Sequence, residues 1–133
     1  MNRVFLDTNV VVYAISVGSA KKPIAARLMA SGFIGAVQVL NEMANVARKK
    51  LDMDWDEVQA ASNLVVQSAK EIVPTKQEDH ELSLMLAQRY RLSIYDALML
   101  AIALRAGCDT FYTEDMHPGL VIDSQLAITN PFA

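Results

Sequence analysis

The strongest constraint on this chain is an alternation: short apolar runs rich in β-formers, each followed by a segment with helical spacing. Val4–Leu6 reads as a short buried strand without period-two alternation, and Val10–Ser16 continues as a short helix. Lys22-Pro23 places a proline at a first helical turn, and Ser31-Gly32 closes that helix. Phe33–Leu40 reads as a second strand, or as a strand end running into the helix Asn41–Leu51. Asp54-Trp55-Asp56-Glu57 opens a helix with an Asp-x-x-Glu cap, and its apolar face runs to Lys70. Glu71–Thr75 is a third strand, and Thr75-Lys76-Gln77-Glu78 starts a helix ending near Arg91. Ser93-Ile94-Tyr95-Asp96 starts another, with Gly107 as its C′ residue. Thr110–Thr113 and Leu120–Asp123 are further strands, and Ala127–Thr129 reads as a last edge strand. Strands separated by helices imply βαβ units and a parallel sheet buried on both faces. The expectation is one α/β domain over residues 1–133, a three-layer α/β/α sandwich around a mainly parallel sheet.

Composition agrees with elements buried on both sides. Hydrophobic residues make up 53% and charged residues 20%, below the usual quarter. Mean hydropathy is +0.21, yet no stretch of about 20 uninterrupted apolar residues exists, so no membrane span is expected. Arg3 ahead of Val10–Val17 superficially resembles a signal peptide, but Asp7 and Asn9 sit against that apolar stretch and argue otherwise. The net charge of −3 excludes a surface that coats nucleic acid by charge alone. Contact with a polyanion therefore needs a local basic patch or a bound cation. Cys108 is the one cysteine, which rules out an intrachain disulfide and fits a reducing cytoplasm.

Four acids fall at informative places. Asp7 ends the first strand, Glu42 lies in the first turn of a helix, Asp96 opens the Ala97–Ala106 helix, and Asp115 follows the Thr110–Thr113 strand. Each has a structural explanation when taken singly. Asp7 and Asn9 can be turn residues, Glu42 an acid at a positive helix end, Asp96 the third position of a Ser-x-x-Asp cap, and Asp115 a loop acid. Taken together they share the edge where the strand C-termini of a parallel sheet meet helix N-termini, the place where such sheets bind ligands. Like charges crowded there must be protonated or share a cation. Hard oxygen ligands at a half-open site suit Mg²⁺ or Mn²⁺. Such a cation activates water and offsets phosphate charge, so metal-dependent phosphodiester hydrolysis is the reaction class indicated.

The stretches "FLDTNVVVYAI", "NEMANVARKK", "LSIYDALMLAIALRAGCDTFYTEDM" and "ITNPF" resemble the PIN-domain family, most closely the VapC-type toxins of bacterial toxin–antitoxin pairs. The likeness spans nearly the whole chain, with an acid in each of four ordered blocks. It implies a Mg²⁺- or Mn²⁺-dependent endoribonuclease acting on a specific RNA (tRNA, rRNA or mRNA). By the same resemblance Asp7 and Asp96 are the principal metal ligands, and Glu42 and Asp115 complete the cluster directly or through water. Thr8, Asn9 and Thr113 match positions that orient the acids or the attacking water, and Glu114 is a further candidate beside Asp115. A homodimer and a cognate antitoxin are implied as well.

The basic run Arg48-Lys49-Lys50 reads either as a solvated helix end or as a phosphate-steering patch beside the cleft. His80 and His117 lack metal-ligand spacing and read as surface residues, while Trp55, Met85 and Met99 read as core or interface on their helical faces. Leu82, Leu86 and Tyr90 fit either core or dimer surface. Two rival functions stand beside the nuclease. One is a catalytically silent scaffold of the same fold. The other is a phosphatase with Asp7 as covalent nucleophile, for which Asn9 stands where a second Asp is expected.

Overall fold

The computed structural model describes residues 2–133. The elements run β1 (Val4–Leu6), α1 (Thr8–Ile15), α2 (Lys22–Ala30), β2 (Ile34–Ala36), α3 (Val37–Lys49), α4 (Trp55–Ser68), β3 (Glu71–Val73), α5 (Gln77–Tyr90), α6 (Ile94–Arg105), β4 (Thr110–Tyr112), β5 (Val121–Ile122) and β6 (Leu126–Thr129). The strands form one sheet in the order β3-β2-β1-β4-β6-β5. Every pairing is parallel except that between β5 and β6. The helices pack in two groups, α1–α4 and α5–α6, which cover the sheet in three layers.

Phe5 and Phe111 are register partners at the sheet centre, and their rings stack 5.1 Å apart. Helix α6 is buried on almost every side, through Ala97 and Met99 to Ala103, because its sequence is apolar all round rather than striped. It ends as expected at Gly107, whose φ of 78° suits a residue without Cβ. The Cys108 N–H then closes a Schellman turn on the Ala103 carbonyl at 3.0 Å. Cys108 itself is free and buried. Among the described residues no helix is long and apolar enough to cross a membrane.

Three readings of the sequence need correction. The second strand is only Ile34–Ala36, and α3 starts at Val37 rather than Asn41. Val39, Met43 and Ala47 are buried at helical spacing, so the apolar residues from 37 to 40 belong to the helix. Glu42 therefore lies in the second turn of α3, not the first, and the helix N-terminus does not explain its position. Finally, β6 is interior: it pairs with β4 on one side and β5 on the other, and β5 is the edge. Leu126 and Ile128 are buried, as residues of an inner strand should be.

Candidate active site

Asp7 joins a strand to a helix. Its backbone N–H still donates across the sheet to the Tyr112 carbonyl at 3.0 Å. Its side chain caps α1, with Oδ1 accepting the Thr8 N–H at 2.8 Å. The other oxygen, Oδ2, accepts from the Thr113 hydroxyl at 2.9 Å. The carboxyl is only 6% exposed, and burial pushes its pKa from 3.8 up to about 6, helped by the nearby charges of Asp96 and Glu42. Hydrogen bonds from Thr8 and Thr113 pull in the opposite direction.

Thr113 is the hub. Fully buried just beyond β4, it donates to Asp7 and accepts from Asn9 Nδ2 at 3.0 Å and from the Asp115 N–H at 3.1 Å. A hydroxyl offers one donor and two acceptor positions, so Thr113 is fully used. Asn9 continues the network. Its amide nitrogen also donates to Asp115 Oδ2 at 3.1 Å, and its carbonyl accepts the Glu114 N–H at 3.2 Å. The Asp-Thr-Asn triplet at the start of α1 is thereby laced to the loop after β4, more than 100 residues away in sequence.

Thr8 reaches the other way. Its hydroxyl donates to Glu42 Oε1 at 2.7 Å, and Gln38, one turn earlier on α3, donates to Glu42 Oε2 at 3.2 Å. Asp96 stands in the first turn of α6, whose N-cap Ser93 accepts the Asp96 N–H at 3.1 Å. Burial raises the half-buried Asp96 carboxyl above its ordinary range. The Ser93 hydroxyl lowers it, and the charges of Asp115 and Glu42 raise it further. Asp7 and Asp96 thus each feel two of the other acids, and among the described residues none of the four is paired with a lysine or arginine.

Glu114 lies apart from this group. It accepts from the Tyr13 hydroxyl at 2.7 Å and from Lys21 Nζ at 2.6 Å. Tyr13 in turn packs edge-on against Phe132 of the terminal Asn-Pro-Phe, 5.3 Å between centroids. Lys21 and Phe132 carried no local signal for this role, because their partners lie across the fold. Gln38 could have been found from its i, i+4 spacing to Glu42.

A cleft of about 440 Å³ opens beside the acids, lined by Thr8, Asn9, Glu42 and Asp115 with Lys50 and Asn45. Arg48 and Lys49 line a neighbouring cavity of about 520 Å³ together with Trp55. Trp55 is 66% exposed, so of its two readings, core or interface, the core one fails; Met85 is exposed likewise, while Met99 is buried. Leu86 is core, with Leu82 and Tyr90 half-buried against it. His80 and His117 are exposed.

The donor set is all oxygen, as a hard cation requires. Among the described residues, however, no three acids, histidines or cysteines converge tightly enough to make a ready-built metal cluster. The residues fit a loosely held ion that keeps part of its water shell, which is how Mg²⁺ is commonly bound.

A family model described as PIN domain matches residues 4–117. No curated protein matches the chain in sequence. Among solved structures, the chain is similar to the sarcin-ricin loop cleaving toxin VapC20 of Mycobacterium tuberculosis, with TM-score 0.70 and 19% identity over 84% of this chain and 91% of that one. It is similar to a toxin–antitoxin complex from Klebsiella pneumoniae, with TM-score 0.72 and 19% identity over 96% and 97%. VapBC2 from Rickettsia felis, bound to a DNA fragment from its promoter, gives TM-score 0.61 and 19% identity over 84% and 87%.

Proposed function

The chain belongs to the PIN-domain family, and from that premise we propose that it is a divalent-metal-dependent endoribonuclease, the toxin of a type II toxin–antitoxin pair. The observation that carries this reading is the set Asp7, Glu42, Asp96 and Asp115, in which Asp7 and Asp96 each feel the charge of two others and none has a cationic partner among the described residues. Such a set has its charge balanced when a cation and a phosphate oxygen share the cleft.

Asp7 and Asp96 would be the principal ligands of Mg²⁺ or Mn²⁺, with Glu42 and Asp115 acting directly or through water. When bound, the ion lowers the pKa of water and neutralises phosphate charge. The chain's own residues do the rest. Thr113 and the Thr8 N–H hold both oxygens of Asp7, Asn9 holds Asp115, and Thr8 with Gln38 holds Glu42. Fixing the acids before substrate arrives avoids reorganisation during the reaction. The carboxylates are also the groups within reach to take the proton released by the attacking water. Lys50 lines the acid cleft and supplies a phosphate contact, and Arg48 and Lys49 extend that contact beside it. Glu114, tied to Lys21 and Tyr13, serves as a brace for the loop after β4.

RNA is the proposed substrate, and a cognate antitoxin and a second copy of the chain are the proposed partners. Two of the similar structures contain a toxin with its antitoxin. Exposed Leu84, Met85, Ile94 and Tyr95 on α5 and α6 supply apolar surface for a homodimer. The proposed location is the cytoplasm. Incubating the purified protein with total cellular RNA, with Mn²⁺ or with EDTA, tests the reading. Discrete cleavage products should form with the metal and disappear with the chelator. Cleavage that persists in EDTA would refute metal dependence.

A further inference from the structure

Trp55 is the chain's single tryptophan, and it stands largely in solvent at the first position of α4. The Arg48 guanidinium lies 4.6 Å from the centre of its ring. Arg48 is itself held in place, because its Nη1 donates to the Met53 carbonyl at 2.9 Å. One side of the indole is thus backed by a fixed planar cation. The pair borders a cavity of about 520 Å³, whose other lining residues are Asn41, Ala44, Asn45 and Lys49. Asn45 also lines the acid cleft, so the two spaces adjoin. Along α3 the step from Glu42 to Arg48 is six residues, about 9 Å of helix rise.

Burying an indole in the core would remove it from water, and a mere helix face would not need a clamped arginine. An exposed aromatic with a stacked guanidinium, two amide side chains and a free lysine is the equipment for a base and its phosphate. The chain as a whole is acidic, at −3, so this local basic stretch is the complementary surface for a polyanion. We propose that the Trp55–Arg48 pair is a nucleobase-stacking subsite that takes one unpaired nucleotide of the RNA lying beside the scissile phosphate. Lys49 contacts the phosphate, and Asn41 and Asn45 offer hydrogen bonds to the base edge. The proposal rests on the ribonuclease reading and requires the nucleotide it takes to be unpaired, because a paired base cannot leave its stack to enter.

Because no other tryptophan contributes, intrinsic fluorescence reports on this subsite alone. Uniform ten-nucleotide RNAs and a matched abasic strand are titrated into the wild-type protein in EDTA at low salt, where nothing is cleaved. Strands with bases should quench Trp55 saturably, and the abasic strand should not. Fluorescence anisotropy of labelled RNA should show affinity falling about 5- to 100-fold in Trp55→Ala, with Trp55→Phe retaining most of it. Equal quenching by the abasic strand, no quenching by any strand, or unchanged affinity in Trp55→Ala overturns the subsite and leaves Trp55 to a protein contact. Cleavage of total cellular RNA, assayed in parallel with Mn²⁺, separates the two readings. Quenching without cleavage overturns the ribonuclease alone; cleavage without quenching overturns the subsite alone.

Discussion

Asp7 is buried, caps a helix and still resists ionisation, with its pKa near 6 in place of 3.8. Between those values the unfolded chain has lost the proton that the folded chain keeps. Stability of the metal-free protein should therefore fall as pH rises from about 4 to about 6, by at most about 3 kcal/mol from this group. Asp7→Asn should flatten that window and gain about 1–2 kcal/mol at pH 7 in chelator, while abolishing cleavage. Denaturant melts across pH check this; a variant no more stable than wild type would remove the burial penalty from the account. Thr113 makes the converse prediction. Thr113→Val leaves the Asp7 oxygen, the Asn9 amide and the Asp115 N–H without their shared partner, a loss of about 1–3 kcal/mol. Thr113→Ser should retain the network and most of the activity, which thermal melts and cleavage rates will show.

At the scale of elements, α5 and α6 are joined by a buried ion pair. Arg105 Nε and Nη2 grip both oxygens of Asp79 at 2.7 and 2.9 Å, with Asp79 only 1% exposed. Burial pushes the Asp79 carboxyl up, but Arg105 and the Lys76 N–H more than offset it and hold it below its ordinary range. Its contribution is thus complete above the ordinary carboxylate pKa and is lost as pH falls through the lowered value. Asp79→Ala should cost about 3 kcal/mol at neutral pH, because a guanidinium is left without its partner. An urea midpoint unchanged from wild type would contradict this. The same contact explains a limit of sequence reading. The helices around it were legible from periodicity and caps, as at Asp54–Glu57, where both reciprocal bonds form. The Asp79–Arg105 pairing was not legible, since it joins residues 26 apart with no local pattern between them. The boundary at Val37 was misplaced for a related reason: four apolar residues read equally as strand or helix until burial at Val39 and Met43 decides.

For the molecule as a whole, the proposed function brings an acidic protein to an acidic polymer, and the stretch Arg48–Lys50 is where charge would favour contact. Lys49→Gln with Lys50→Gln should make the salt dependence of single-stranded RNA binding shallower by about 1.4 in the log–log slope, about 0.7 for each lost phosphate contact. An unchanged slope would assign these lysines to solvent. The parallel sheet made the edge near Asp7, Asp96 and Asp115 legible from strand and helix order, whereas Glu42 sits in the second turn of α3 and is tied to that group through Thr8. What order could not give was the lacing: the hub at Thr113, Gln38 on Glu42, and Lys21 with Tyr13 on Glu114 all depend on side chains meeting across the fold. Trp55 was obscured because an aromatic at a helix start has the same spacing whether it faces core or water. The central claim is that Asp7 and Asp96 hold the cation that makes this fold a ribonuclease. It is tested most directly by the rate of cleavage of a single-stranded RNA against Mn²⁺ concentration, in wild type, Asp7→Asn and Asp96→Asn. Saturable activation is expected in the wild type and a loss of about 100-fold or more in each variant, given what electrostatic groups at a reacting centre contribute. Cleavage that is independent of Mn²⁺, or undiminished in either variant, would contradict it.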